Sequence, residues 1–202
     1  MQQQGYRTAI IEFIRANANP PDKFSHQARL YKLATELAET EKYDDDVLFA
    51  AAWMHDLGVF IGHRPETPSE LSRWDHVAYA AKMVPGILED GGFPTEKIPA
   101  VIEAIRTHLP SSEPTTFEGL LLRDADILEQ LGAVGTLRAV SKVGRDTRFV
   151  RFSDALQVLK RNTEELPAKL KLESATQRAK PRLEVLTHFL KAAEAEADHL
   201  AW

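Results

Sequence analysis

The chain has 202 residues, which is enough for one sizeable hydrophobic core but short for two, so we predict a single domain over 1–202. The 25 Lys and Arg against 30 Asp and Glu give a formal net charge of -5, which offers no overall attraction to nucleic acid or to an anionic membrane. The chain has no cysteine, which excludes disulfides, thiolate catalysis and cysteine-based zinc sites. Any metal must therefore be held by His and carboxylate side chains.

Apolar residues recur with helical spacing along nearly the whole chain, whereas alternation with a period of two is almost absent. This pattern predicts an all-α fold, built as a single helical bundle. The predicted helices lie near residues 6–17, 25–40, 45–57, 69–90, 95–108, 117–131, 134–145, 152–164 and 176–200.

Several residues indicate where the predicted helices begin and end. Ser25 is a predicted N-cap of the second helix. Gly58 is predicted to close the third helix as a C′ glycine, which places the neighbouring His55 and Asp56 in its last turn. Pro181 predicts either a kink or a later start of the last helix. The segment GHRPETPSELSRWDH after Phe60 is predicted to form a loop at the rim of a site.

The N-terminal stretch MQQQGYRTAIIEFIRANANPP lacks the pattern of a signal peptide. The longest uninterrupted apolar run, Val47 to Met54, is far shorter than the ~20 residues that span a bilayer. We expect a cytoplasmic protein without a membrane or nucleic-acid partner. The oligomeric state does not follow from the sequence.

Four histidines, His26, His55, His76 and His108, fall in or at the ends of predicted helices that have an apolar face. A polar group buried without a partner costs about 1–3 kcal/mol, so four imidazoles directed at one core need a common explanation. A bound cation is the most economical one. The alternatives are a structural role for each, such as a helix residue after the N-cap candidates Ser72 or Asp75 for His76. His63 is interpreted as solvated, and His188 and His199 are assigned to the tail helix without a role.

The order of the segments SHQARL, MHDLG, a mid-chain His, HLP and RDADILEQLGAVGTLR resembles the HD-domain superfamily of metal-dependent phosphohydrolases, and its small stand-alone bacterial members in particular. The resemblance covers about 22–140, the predicted HD core, and leaves 150–202 as a C-terminal helical extension. It implies that the primary metal ligands are His26, His55, Asp56 and Asp126.

The choice of the last aspartate depends on the resemblance. Helical periodicity leaves both Asp124 and Asp126 open, because each shares a face with other apolar residues. The related D-x-D pattern uses its second aspartate as the ligand, which favours Asp126. That pattern continues with a basic residue, whereas this chain has Ile127 at the position.

The resemblance gives His76 and His108 two alternative roles. They complete a second ion site with Asp56 as the bridge, or they transfer a proton or contact phosphate. Imidazole and carboxylate ligands without thiolate suit Mn, Fe, Co, Ni or Zn, and a site richer in carboxylates suits Mg. We favour Mn and expect one or two ions. Such an ion polarises a phosphoryl oxygen and lowers the pKa of its bound water.

The substrate side is predicted from local positive charge. The segment LRAVSKVGRDTRFVR, 137–151, is the densest basic run, and it forms either a phosphate-binding surface or a solvated helix face. Arg138 and Lys142 are the predicted phosphate contacts there, and Arg64 is predicted to contribute from the rim loop.

The predicted function is metal-dependent hydrolysis of a phosphate ester or anhydride, with a small phosphorylated molecule, preferably a nucleotide, as the substrate. Two alternatives stay open. In some superfamily members the same set of four His and two Asp resembles the site of a di-iron oxygenase. A non-catalytic nucleotide-binding module is the other alternative.

Overall fold

The structure is a computed structural model, and it describes the backbone of residues 2–197 and the side chains of residues 5–197. The described part of the chain contains helices and no β-strand, which confirms the all-α prediction. The helices are α1 (Gln2–Asn17), α2 (Asp22–Leu37), α3 (Asp45–Met54), α4 (Pro68–Leu71), α5 (His76–Asp90), α6 (Ile98–Arg106), α7 (Phe117–Glu129), α8 (Gly132–Val140), α9 (Phe152–Glu165) and α10 (Glu173–Glu196). Short 3-10 helices occupy Leu57–Val59, Thr95–Lys97 and Pro167–Lys169.

The chain divides into two compact units, Met1–Arg123 and Asp124–Trp202. In the first unit α3 packs against α1, α2 and α6, and α5 packs against α6 and the 3-10 helix Leu57–Val59. In the second unit α8, α9 and α10 pack against one another. The predicted single domain 1–202, its core 22–140 and its extension 150–202 stay predictions.

Helix α3 is the central element of the first unit. Asp44 caps its N-terminus by accepting hydrogen bonds from the N–H groups of Asp46 and Val47, at 3.0 and 3.3 Å. Every residue from Asp46 to Met54 is buried. Ala50, Ala51 and Ala52 are small, so helices on several sides can approach the backbone closely. A helix that is apolar all round is expected to lie inside the fold, and this one does.

Several predicted helix boundaries are wrong, including the ends of 25–40 and 134–145, which lie at Leu37 and Val140. The predicted helix 69–90 is two helices, because Asp75 adopts an extended conformation and caps α5 by accepting the Ala78 N–H at 2.9 Å. The predicted third helix 45–57 ends at Met54, before His55 and Asp56. Ser25 is not an N-cap, because α2 already begins at Asp22 and the Ser25 hydroxyl donates to the Asp22 carbonyl.

The last predicted helix, 176–200, also has different bounds. Helix α10 begins at Glu173 and runs through Pro181 to Glu196, so Pro181 does not mark its start. A proline inside a helix removes one hydrogen bond, and the helix here continues on both sides of it. Positions 198–200 of the predicted helix, including His199, lie outside the described residues.

A cluster of charged and phenolic side chains ties α1 to both α3 and the segment before α6. The buried carboxylate of Asp46 accepts hydrogen bonds from Lys97 Nζ at 2.8 Å, from Arg7 Nη2 at 2.9 Å and from the Tyr6 hydroxyl. Burial by itself raises the pKa of Asp46, but the hydrogen bonds from Lys97, Tyr6 and Arg7 outweigh it and hold that pKa well below its ordinary value. The ionised carboxylate therefore stabilises the first unit.

We expect Asp46→Asn to lower the free energy of unfolding at pH 7 by about 1–3 kcal/mol, because a buried charge-assisted network loses its anion. The pKa of Asp46 is lower in the folded than in the unfolded chain, where it is about 3.9. Its contribution is thus complete well above pH 4 and is lost as the pH falls through the folded-state pKa.

Urea unfolding of both proteins at a series of pH values from 7 to 3 measures this effect, and the difference should narrow below pH 4. Asp45→Asn is the matched control, since Asp45 is more exposed and binds Arg7 at 2.7 Å. A difference that stays constant from pH 7 to pH 3 would contradict the assignment.

Candidate metal centre

The site begins where α3 ends. His55 is the C-cap residue of α3, and its N–H donates to the Ala51 carbonyl at 2.9 Å. Asp56 follows with φ −93° and ψ 11° and leads into the 3-10 helix Leu57–Val59. The change of direction at Asp56 keeps both side chains inside the first unit, where His55 is fully buried and Asp56 is 9% exposed.

Two groups of side chains meet at Asp56. The first group consists of His26, His55 and Asp56, and the second of Asp56, His76 and His108. Within each group one ligand atom per residue lies within 4.8 Å of the others. Within the first group, Asp56 Oδ2 lies 3.8 Å from His26 Nε2 and Oδ1 lies 3.6 Å from His55 Nε2. Because Asp56 is a member of both groups, its carboxylate is placed to be shared by them.

The hydrogen bonds of two histidines fix which nitrogen faces the cluster. His55 Nδ1 lies 3.0 Å from the Ala52 carbonyl, and His108 Nδ1 lies 2.6 Å from the Ile105 carbonyl. A carbonyl oxygen can only accept, so each Nδ1 carries the proton and the lone pair of the neutral ring is on Nε2. Backbone carbonyls orient metal-binding imidazoles in this way. The rings of His55 and His108 are 4.9 Å apart between centroids, and those of His26 and His55 are 5.5 Å apart.

The surroundings of Asp56 favour its ionised form. Burial by itself raises the pKa of Asp56, but positive charge on His55, Lys23, His26 and His108 overcomes that effect and holds the pKa well below its ordinary value. The Lys23 ammonium lies with Nζ at 3.8 Å from Oδ2. The site thus combines an ionised carboxylate with imidazole nitrogens, and this set of donors fits a divalent transition ion.

Gly58 and Trp74 hold the start of α5 against the 3-10 helix Leu57–Val59. A Cβ atom on Gly58 would lie 2.6 Å from the His76 carbonyl oxygen and 2.8 Å from its Cα. Trp74 Nε1 donates to the Gly58 carbonyl at 2.7 Å. The prediction that Gly58 is a C′ cap is wrong, because the residue lies inside a 3-10 helix. Glycine is required there because a side chain would clash with the His76 backbone. Glycine lets the backbone carrying His76 approach the segment that carries Asp56.

The second unit contains the two aspartates between which the sequence did not decide. The Asp124 carboxylate is fully buried and accepts the N–H groups of Lys171 and Leu172, at 2.9 and 2.8 Å, just before α10. Asp126 is 9% exposed, and Gln130 Nε2 donates to its Oδ2 at 3.2 Å. Ile127, which replaces the basic residue of the related pattern, is buried in the core. Asp124 therefore has a structural role at the start of α10.

The three predicted substrate contacts lie in different surroundings. Arg138 Nη1 lies 3.8 Å from Asp126 Oδ1 and 3.7 Å from Glu129 Oε2. The ammonium of Lys142 lies 5.1 Å from the centroid of the Phe149 ring, in a cation–π arrangement. Arg64 is half-buried in the loop after the 3-10 helix Leu57–Val59. Arg138 thus lies beside Asp126, a predicted metal ligand.

Sequence reasoning missed Lys23, although a signal was present: it precedes His26 by three residues, so both lie on one face of α2. It also misjudged His63, which was interpreted as solvated. His63 Nδ1 lies 3.0 Å from the Tyr79 hydroxyl and Nε2 lies 3.0 Å from Asn17 Oδ1. Burial lowers the pKa of His63. Through these two hydrogen bonds the His63 imidazole links the rim loop to α1 and α5.

The fold and the site together define an all-helical domain with a carboxylate shared between two His-containing groups. The family model for the HD domain matches residues 24–131, which is more than half of the chain. The chain therefore belongs to the HD domain family. As a member it is a metal-dependent phosphohydrolase in class, and it binds a divalent metal.

Solved structures share the fold. Bacillus subtilis YpgQ has a TM-score of 0.75 at 21% identity, with 100% of both chains covered. The structure of the same protein in complex with ADP has a TM-score of 0.73 at 22% identity and covers 97% of both chains. A predicted HD superfamily hydrolase from an uncultured Thermotogales bacterium has a TM-score of 0.61 at 26% identity, with 96% of this chain and 91% of that chain covered.

None of the curated proteins matches the sequence at a significant level. Along the described part of the chain, no helix is both long and apolar enough to cross a bilayer. The expected cytoplasmic location stays a prediction.

We expect Gly58→Ala to weaken binding at the group of Asp56, His76 and His108 by at least about tenfold, because the new methyl displaces the backbone of His76. Isothermal titration with Mn²⁺ measures the change. Gly86→Ala in α5 is the matched control: a Cβ there meets nothing within 4 Å, so affinity should be unchanged and stability slightly higher. Equal effects of the two substitutions would contradict this role of Gly58.

Proposed function

We propose that this protein hydrolyses a phosphate ester or anhydride of a small nucleotide. The observation that carries the proposal is the placement of Asp56 in two metal-binding groups, with His26 and His55 in one and His76 and His108 in the other. The ADP bound to Bacillus subtilis YpgQ supports a nucleotide as the substrate class, because that protein has the same fold over its whole length.

The proposed ion is Mn²⁺, since two imidazoles with a carboxylate in each group suit a transition ion better than Mg²⁺. His26, His55 and Asp56 hold the first ion in this proposal. When bound, a divalent ion supplies a water of lowered pKa and polarises the phosphoryl oxygen. The Nδ1 hydrogen bonds of His55 and His108 keep Nε2 of both rings directed inward.

The proposed roles of His76 and His108 follow from their exposure. His108 is 1% exposed and its ring lies 5.9 Å from that of His76, so the pair can serve a second ion together with Asp56. His76 is only partly buried, at the first residue of α5. With one ion bound, His76 is the better placed of the two to protonate the leaving oxygen, because it is the more exposed of the two and can exchange protons with solvent.

Asp126 stays the proposed last ligand, and Arg138 the proposed phosphate contact. The carboxylate of Asp124 already accepts two backbone N–H groups, a pattern that stabilises the chain. The guanidinium of Arg138 lies beside Asp126, and a planar guanidinium suits phosphate oxygens. Lys142 and Arg64 stay proposed secondary contacts.

The activity should appear with nucleoside mono-, di- or triphosphates and Mn²⁺, with products identified by mass spectrometry. We expect His55→Ala to reduce turnover at least about 100-fold, because it removes an inward Nε2 ligand. His188→Ala in α10 is the matched control and should keep the wild-type rate, since His188 belongs to neither group. A chelator should abolish turnover of the wild type.

Other outcomes distinguish the alternatives. Two tightly held irons per chain in protein purified without added metal, with no phosphate release, would replace the proposal by the di-iron oxygenase. Strong thermal stabilisation by nucleotide without turnover would replace it by the binding module. Turnover that persists in His55→Ala would contradict the proposed location of the active site.

Substitution of the two aspartates should give opposite results. Asp126→Asn should weaken Mn²⁺ binding at least about tenfold and leave the melting temperature of the metal-free protein nearly unchanged. Asp124→Asn should lower the free energy of unfolding by about 1–3 kcal/mol, because the backbone N–H groups of Lys171 and Leu172 lose a charged acceptor, and should leave Mn²⁺ affinity intact. Calorimetry and thermal unfolding of each variant measure both quantities, and the reverse pattern would make Asp124 the ligand.

A further inference from the structure

Lys23 is a basic side chain at the site to which the sequence assigned no role. It lies in the first turn of α2, three residues before His26 and on the same face of the helix. Its Nζ lies 3.8 Å from Asp56 Oδ2, the same distance that separates this oxygen from His26 Nε2. The Lys23 side chain is 25% exposed, whereas that of Asp56 is 12% exposed. Lys23 therefore reaches the buried carboxylate and is itself partly exposed to solvent.

The contact between Lys23 and Asp56 is an ion pair rather than a direct hydrogen bond. At 3.8 Å the two atoms are farther apart than the 2.7–3.2 Å typical of such a bond. An ammonium on a flexible four-carbon stem can move away from this position when another cation takes over the charge of the carboxylate. Asp56 Oδ2 thus has a positive partner that is not fixed in place.

A divalent ion held by His26 and Asp56 competes with Lys23 for Oδ2. Two positive charges at such a short separation repel each other even when solvent screens them. The ammonium would then turn away from Asp56, and because the Lys23 side chain is partly exposed it could meet an anionic substrate that approaches from solvent. Phosphoryl oxygens of that substrate can replace the carboxylate as its partner.

We propose that Lys23 exchanges partners during binding: it neutralises Asp56 when no ion is bound and binds the phosphoryl group of the substrate once the ion is in place. This proposal rests on the phosphohydrolase function proposed above and adds a substrate-binding residue to it. If the proposal is correct, the Lys23 side chain weakens metal binding and strengthens phosphate binding.

The test is calorimetric titration of Lys23→Met, first with Mn²⁺ alone and then, on the Mn²⁺-loaded protein, with inorganic phosphate. Methionine keeps most of the side-chain length and removes the charge. We expect Mn²⁺ to bind about three- to tenfold more tightly, because a competing cation is gone, and phosphate to bind about tenfold more weakly. In turnover assays KM should rise and kcat should change little.

Two further variants complete the test. Lys23→Arg keeps the positive charge and should restore phosphate affinity, which shows that Lys23→Met acts through charge rather than through damage to α2. Lys32→Met is the matched control on the same helix: its side chain is 79% exposed and lies 4.0 Å from Glu36, so neither affinity should change.

Weaker or unchanged Mn²⁺ binding in Lys23→Met would overturn the proposal, as would unchanged phosphate binding. Both titrations are independent of turnover, so the two proposals can fail separately. If the wild type turns over nucleotides and Lys23→Met leaves both affinities unchanged, only the role of Lys23 is wrong. If the opposite shifts are found but no nucleotide is hydrolysed, only the proposed activity is wrong.

Discussion

The Asp56 carboxylate is the constraint on which the arrangement of the first unit depends. Moving an ionised carboxylate out of water costs several kcal/mol, and the surrounding structure must return that energy. Lys23, His26 and His55 do so from one side, and His76 and His108 complete a second group around the same side chain. Each of the two groups brings two imidazoles to this carboxylate, and such a set of donors suits a transition ion.

Bringing this carboxylate among its partners requires the chain to turn immediately after a fully buried helix. Helix α3 ends at Met54, so Asp56 leaves the helical path. The 3-10 helix that follows can then pack against the start of α5, and Gly58 permits that approach because any Cβ would meet the His76 backbone. The Trp74 indole N–H donates a hydrogen bond to the Gly58 carbonyl and so adds to this contact. Gly58 and Trp74, which are not metal ligands, thereby help to determine where His76 lies.

Positive charge in this acidic chain is placed locally. The net charge of -5 offers phosphate no general attraction, yet Lys23 lies 3.8 Å from Asp56 and Arg138 lies 3.8 Å from Asp126. In the role proposed for Lys23, the cation lowers the local negative charge before metal binds and is available to phosphate afterwards. Together with the phosphate contact proposed for Arg138, this placement would let an acidic chain bind phosphate.

Much of the fold and part of the site could be predicted from the sequence, because the signals involved are local. Helical periodicity predicted the all-α fold, and the buried runs around Leu30, Phe49 and Leu121 were visible as apolar stripes. The order of His26, His55, Asp56 and the later histidines indicated the HD family, which the family model then confirmed. The local sequence offered Asp75 as an N-cap without deciding between it and Ser72, and it did not reveal the end of α3 at Met54, since each depends on a cap or a packing contact.

The sequence by itself determined the donor chemistry: without cysteine, only imidazoles and carboxylates are available to a metal, and their order along the chain was enough to indicate the family. Only the tertiary structure decided that Asp56 is shared by two groups, that Lys23 reaches it, and that Asp124 accepts the N–H groups before α10. The physical reason is that periodicity reports which face of a helix is buried, whereas the sharing of one oxygen by side chains from several helices is set by how those helices pack.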